Sequence, residues 1–204
     1  MIDGKVFDGA LCGDLHWLHL DDDGGPQRLS VTRWHGAPDP GDELMLGRCQ
    51  GATLDIGCGP GRLTGALTTR GVIVLGVDIS ARAVQLTVRR GGVALRRDVF
   101  DPLPGQGSWD HALLADGNIG IGGDPRRLLR RVRQLLGRAS SVIIEVEPPG
   151  IGVRSGIARI GAGPRFPWSR VGADAVQALG AAVGFRLIWM ANREQRWFAE
   201  LALA

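Results

Sequence analysis

The chain has 204 residues, 44% of them hydrophobic and 22% charged, with a formal net charge of only +3. That composition describes an ordinary soluble globular protein with one substantial core. No apolar run approaches the roughly 20 residues that span a bilayer, and the opening "MIDGKVFDGAL" lacks the charged start and apolar core of a secretion signal, so a cytoplasmic location without membrane attachment is expected.

Cys12, Cys49 and Cys58 form an odd set without a CxxC pair, which argues against a disulfide framework and against a thiolate zinc site. Almost every cation is an arginine, Lys5 being the sole lysine. The first 50 residues, with "LCGDLHWLHL", "DDDGG" and "RWHGAPDPGDELML", do not follow the strand and helix alternation of the rest. Residues 1–50 are therefore expected to form a lid on the acceptor side of a core domain at 51–204.

In that core, "ATLDI" at 52–56 reads as a buried strand, 57–61 as a turn, and 62–70 as a helix burying Leu63, Ala66 and Leu67. "GVIVLGVD" is a second strand, and Ser80 caps the helix over 81–90. "VALRRD" and "WDHALLAD" are the third and fourth strands. The segment "GNIGIGGD" then leads into a helix opened by Asp124 as N-cap and Pro125 in the first turn. Its apolar face is Leu128, Leu129, Val132, Leu135 and Leu136, with Arg126, Arg127, Arg130, Arg131 and Arg133 opposite, either a solvated surface or a face for an anionic partner. "SSVIIEVE" is a fifth strand, stopped by Pro148 and Pro149. A long Gly/Pro-rich loop over 148–170 follows, then a helix carrying Val171, Val176, Leu179 and Val183, and a terminal hairpin in "FRLIWMANREQRWFAELALA". Apolar strands alternating with helices indicate a doubly wound α/β fold, a mostly parallel seven-stranded sheet with helices on both faces.

In such sheets a ligand sits beyond the carboxyl ends of the strands. The stretch "TLDIGCGPGRLTGAL" leaves the first strand at that edge, and it places Gly57, Gly59 and Gly61 behind Asp55 and ahead of a helix. Glycines there let the backbone turn sharply and let a ligand press against the main chain, while the helix start offers free N–H groups. Asp78, at the end of the second strand, is placed to reach ribose hydroxyls. The dinucleotide fingerprint wants glycine at positions one, three and six, yet the sixth residue from Gly57 is Arg62, which disfavours a bound pyrophosphate.

The pattern Asp-x-Gly-x-Gly-x-Gly resembles the first motif of class I S-adenosylmethionine-dependent methyltransferases, and the order of elements from Gly51 to Ala204 is similar to that family's. The resemblance implies S-adenosyl-L-methionine as cofactor and a last strand inserted antiparallel. It also implies roles for particular residues. Gly57, Gly59 and Gly61 would approach the methionyl and ribose parts, and Asp55 would orient that loop and the cofactor amino group. Asp78 would bind both ribose hydroxyls and Ile79 would lie against the adenine. Asp98 and Val99 in "RRDVF" would meet the adenine edge, and the main chain of Asp116 would touch the methionyl amino group. Asp98 has an alternative reading as a loop cap.

Methyl transfer from an activated sulfonium asks mainly for a nucleophile held in line in a dry site, with a base only when the acceptor starts protonated. "ADGNIG" stands where nucleic-acid and glutamine amino-methylating relatives carry Asn-Pro-Pro-aromatic, which points away from nucleic acid and towards a small-molecule acceptor. His35 is the candidate base and Trp34 an aromatic wall, unless that histidine only packs or caps. Asn118, Arg154 and Trp168 are further candidates for acceptor binding; Arg154 or Arg165 would hold an acceptor carboxylate or phosphate unless solvated at the surface, and Glu147 either lines the site or pairs with an arginine. His16 and His19 share a helical spacing but lack a third ligand, so no metal is expected. Two other readings stay open: a methyltransferase acting on protein or RNA, and a regulatory module that binds the cofactor without turnover. The acceptor, the atom methylated and the oligomeric state are not encoded in any recognisable motif.

Overall fold

The computed structural model describes residues 4, 6–12, 17–21 and 25–204. After a 3-10 turn at Ala10–Cys12 come β1 (Trp17–Leu20), β2 (Gln27–Arg28), α1 (Val31–His35) and α2 (Pro40–Leu46). The alternating core follows as β3 (Thr53–Ile56), α3 (Arg62–Thr69), β4 (Val74–Asp78), α4 (Ala81–Arg89), β5 (Ala94–Arg96) and β6 (Trp109–Leu114). A 3-10 segment Asn118–Gly123 leads to α5 (Pro125–Leu135), β7 (Leu136–Val146), β8 (Val153–Ile160), β9 (Arg165–Val171), α6 (Val176–Ala181), β10 (Phe185–Arg193) and β11 (Arg196–Leu203).

Seven strands make the main sheet in the order β10-β11-β7-β6-β3-β4-β5. The pairs from β7 to β5 are parallel, while β11 runs antiparallel to both β7 and β10, as the resemblance implied. Along β6 and β7, alternate residues enter opposite cores. Ala112, Leu114, Val142 and Ile144 pack with Leu128, Val132 and Val176 on one side, and Leu113 and Ile143 with Met45, Leu63 and Leu67 on the other. Period-two alternation thus feeds two helical layers from one run of apolar residues.

The caps follow the expected chemistry. Ser80 Oγ accepts from Ala83 N at 3.1 Å, and the Asp124 carboxylate from Arg127 N at 3.0 Å. Leu136, assigned to the face of α5 from its spacing, instead begins β7. The register jumps from Trp109 opposite Leu136 to His111 opposite Ser141, so the residues between bulge out, with Ala139 at φ 56°.

Two further expectations are corrected. The 148–170 segment is a hairpin, not a loop: β8 and β9 pair antiparallel, and with β1 and β2 they form a second sheet in the order β2-β1-β8-β9. Its inner face packs Leu18, Leu20, Ala158, Ile160, Phe166 and Trp168. The alternation was present in "IARI" and "RFPW", and Pro167 is tolerated because β9 is an edge strand. Residues 1–50 are also not of one kind. Met45 and Leu46 of α2 are buried against Leu63, Leu67 and Phe198, so α2 packs as part of the main core, to which the described residues before Asp39 contribute no buried side chain.

Candidate functional site

A cavity of about 660 Å³ lies where the carboxyl ends of β3, β4, β6 and β7 meet the small sheet. One half is lined by Asp55, Gly57, Gly59, Asp78, Ile79, Asp98, Val99, Asp116 and Asn118, which brings together the residues that the resemblance implied for the cofactor, Gly61 excepted.

The loop after β3 is held from both sides. Gly57 and Gly59 adopt φ 72° and 54°, and the Gly59 N–H donates to Asp78 Oδ2 at 3.0 Å. Asn118 Nδ2 donates to the carbonyls of Ile56 and Gly57 at 3.0 and 2.9 Å, so this residue braces the loop as well as lining the cavity. Gly61 does not line the cavity. Its φ is 85°, and a Cβ there would stand 2.7 Å from Thr87 Cα, so it is the point where α3 meets α4.

Asp55 is buried and accepts from Thr64 Oγ1 at 2.6 Å, which ties β3 to α3. Burial pushes its carboxyl up to about 6, against the opposing pull of that hydroxyl and of Arg62. Burial also raises Asp78, although the N–H groups of Ser80 and Gly59 favour its charged form. Asp98 Oδ1 accepts from Phe100 N at 3.0 Å, the loop-cap geometry, while the residue also lines the cavity.

Beside this half runs an ionic network that sequence reasoning missed. Asp42, at 0% exposure, takes ion pairs from Arg62 and Arg196. Arg62 continues to Asp116, and Arg196 to Asp39 and to Glu145. Arg33 of α1 closes the network on Asp116 Oδ1 at 2.6 Å and Glu145 Oε1 at 3.5 Å, while Glu145 Oε2 accepts from Asp116 N at 2.8 Å. Burial pushes the Asp42 carboxyl up, but the hydrogen bonds and charges of Arg62 and Arg196 and the Asp39 N–H together hold it below the usual range. Arg196 is lowered by burial, yet Glu145 and Asp42 raise it well above its ordinary value. The only sequence signal was Asp39-Pro-Gly-Asp42, a capping box in which Asp39 accepts from Asp42 N and Asp42 from Asp39 N, both at 2.9 Å.

The other half of the cavity is lined by Phe7, Leu11, Leu18, Leu29, Trp34, Ile121 and Trp168. Phe7 lies 5.5 Å from Phe166 and 5.7 Å from Trp168 between ring centroids. Gly120 is required by this wall, because a Cβ there would stand 2.0 Å from the Ser169 carbonyl oxygen and 2.9 Å from the Trp168 indole. That contact explains one glycine of "GNIGIGG".

The candidate base fails on placement. His35 does not line the cavity; its Nε2 is buried without a hydrogen-bond partner and its carbonyl accepts from Arg90. Its neighbours Arg33 and Trp34 line the cavity instead, as α1 turns alternate side chains away from each other. Arg154 lies on β8 outside the cavity, and Arg165 pairs with Asp21 at the surface. Glu147 does line the cavity and pairs with Arg170 at 3.4 Å. His16 falls outside the described residues, and His19 lies on β1. Among the described residues no group of three or more His, Cys, Asp or Glu is arranged to hold a metal ion, and no helix is long and apolar enough to cross a membrane.

Residues 53–138 match a family model described as a methyltransferase domain. The fold is similar to that of an S-adenosylmethionine-dependent methyltransferase from Bacteroides fragilis, solved with S-adenosyl-L-homocysteine, at 21% identity and TM-score 0.79 over 100% of this chain and 97% of that one. It is also similar to the 1,6-didemethyltoxoflavin N1-methyltransferase of Burkholderia thailandensis, at 19% identity and TM-score 0.60 over 79% and 74% of the two chains. A third likeness is to magnesium protoporphyrin IX methyltransferase from Synechocystis, at 15% identity and TM-score 0.58 over 79% and 74%. No curated protein sequence matches the chain.

Proposed function

On the premise that this chain carries a class I S-adenosylmethionine-dependent methyltransferase domain, we propose that it transfers the methyl group to a small-molecule acceptor by in-line displacement. The observation that carries the reading is the single cavity in which the Gly57–Gly59 loop, Asp78, Asp98 and Asp116 share walls with Phe7, Leu18, Trp34 and Trp168. A cofactor half continuous with an apolar half suits a compact acceptor that sheds water before reaction. Similar folds solved with toxoflavin-type and porphyrin-type enzymes support the class of acceptor without naming it.

In this reading Asp78 accepts hydrogen bonds from the ribose hydroxyls, Ile79 lies against the adenine, and Asp98 and the Val99 N–H meet its edge. The described residues before Asp39, together with β8 and β9, serve as a cover over the acceptor half. The protein or RNA alternative draws on the arginine face of α5, but two of its members are already engaged: Arg131 with the Val99 carbonyl at 2.8 Å, and Arg127 over the Phe100 ring at 4.0 Å.

The test begins with calorimetry of S-adenosylhomocysteine. Asp78→Ala is expected to weaken binding by about 2 kcal/mol or more, since charge-assisted hydrogen bonds are lost. Unchanged affinity removes the cofactor assignment. Methyl-labelled cofactor with fractionated cell extract then separates the acceptor classes, and label confined to macromolecules overturns the small-molecule reading.

A further inference from the structure

The main-sheet edge places a carboxylate and a guanidinium together in the apolar half of the cavity. In the parallel pair β6 and β7, Leu114 lies opposite Ile144, so Asp116 and Glu147 leave adjacent strands at the same edge. Glu147 is fixed there by its main chain, which bridges to Gly172 next to the end of β9. Arg170, from β9, meets its carboxylate at 3.4 Å through Nη2, and its Nε is buried without a hydrogen-bond partner. Arg170 therefore brings more donors than Glu147 uses.

Aromatic and aliphatic side chains line the cavity beside this pair. Trp168 lies two residues before Arg170 on the same face of β9, with Phe7, Leu18, Leu29 and Ile121 completing the wall. Arg28 also lines the cavity, while Arg33 is committed to Asp116 and Glu145. A hydroxyl, which can donate to a carboxylate and accept from a guanidinium, matches this pair, and Arg170 favours an oxygen that gains negative charge as it reacts.

We propose, resting on the methyl-transfer reading above, that Glu147 and Arg170 form the acceptor-reading pair and that the acceptor is a flat aromatic compound bearing a ring hydroxyl. One hydroxyl meets both partners, donating its proton to Glu147 and accepting from Arg170. In the transfer step the O–H proton passes to a Glu147 carboxylate oxygen while the oxygen forms a bond to the methyl carbon. The carbon–sulfur bond breaks with its electron pair going to sulfur, leaving S-adenosylhomocysteine, the aryl methyl ether and a neutral Glu147 that returns its proton to water. Glu147 is thus the general base and Arg170 a positioning residue that steadies the developing oxyanion.

The experiment uses the full chain with methyl-labelled S-adenosylmethionine and four defined probes: catechol, 2-naphthol and 8-hydroxyquinoline, with 2-naphthylamine as the matched amine. Label is expected on at least one hydroxyaryl, at a rate about tenfold or more above that on the amine. Glu147→Gln is expected to keep S-adenosylhomocysteine affinity within about twofold while lowering transfer at neutral pH by about 100-fold. Raising the pH, which ionises the hydroxyl without help, should restore the Glu147→Gln rate, a recovery that a merely structural loss would not give. Arg170→Gln should raise the KM for the hydroxyaryl about tenfold and leave cofactor affinity in place; it carries the test if Glu147→Gln does not fold. Intact cofactor binding with label on no hydroxyaryl, or a full rate in Glu147→Gln, overturns the proposal and leaves the methyltransferase reading standing. Failure of the wild type to bind S-adenosylhomocysteine overturns both.

Discussion

Arg33 and Asp116 are joined by two hydrogen bonds from one guanidinium to one carboxylate oxygen, Nε at 3.2 Å and Nη2 at 2.6 Å. The pair anchors α1 to the end of β6, beside the wall of the cavity that carries Asp55, Asp78 and Asp98. Arg33→Ala should cost about 1.5–3 kcal/mol, the range for hydrogen bonds to a charged group, and lower the melting temperature by roughly 2–4 °C per kcal/mol. Limited proteolysis should at the same time cut the residues before Asp39 faster. Unchanged melting and unchanged cutting would show that the pair holds nothing in place.

Asp42 is wholly buried between Arg62 and Arg196. Asp42→Asn leaves two guanidiniums short of a counter-charge, so about 3–5 kcal/mol should be lost in urea denaturation. A loss under about 1 kcal/mol would mean that Asp39, Asp116 and Glu145 compensate fully. The same dependence means that a chain begun at Gly41, lacking the Asp39 cap, should be less stable than one begun at Pro38.

The pH dependence of stability should carry an Asp55 component of unusual sign. Its folded pKa of about 6 lies above its ordinary 3.8, so the native state binds the proton more tightly than the unfolded chain. Stability from this group is therefore full below pH 3.8 and is lost as pH rises through 6, a change of about 3 kcal/mol. Asp42, lowered from 3.8, acts oppositely: its contribution is present above that value and is lost as pH falls through the folded pKa. Asp55→Asn should remove the decline between about pH 4 and pH 6, measured as the difference from wild type in urea titrations. An identical pH profile in the two proteins would refute the assignment.

Gly61 separates packing from ligand contact. Gly61→Ala forces a Cβ to within 2.7 Å of Thr87 Cα at φ 85°. The strain and overpacking should together cost roughly 2–4 kcal/mol. S-adenosylhomocysteine affinity of the folded fraction should change by less than about threefold, because Gly61 does not line the cavity. A large affinity loss with little destabilisation would reverse that reading.

The sequence by itself determined the main sheet and the convergence of its acidic strand ends on one wall of the cavity. Both rest on local signals: apolar runs of strand length, the caps Ser80 and Asp124, and acidic residues at successive strand ends, where backbone geometry alone delivers Asp55, Asp78, Asp98 and Asp116 to one edge. Tertiary structure decided the rest. The network of Arg33, Asp39, Asp42, Arg62, Asp116, Glu145 and Arg196 joins residues up to 157 positions apart, as Asp39 and Arg196, and no local pattern encodes a contact at that range. The hairpin of β8 and β9 was obscured because its glycines and prolines read as loop until β1 supplied a partner for its free edge. His35 and Arg33 are neighbours on one short helix, and only the packing of that helix put the arginine at the cavity and the histidine away from it. A side chain's chemistry is written in the sequence, but which way it faces depends on what its element packs against.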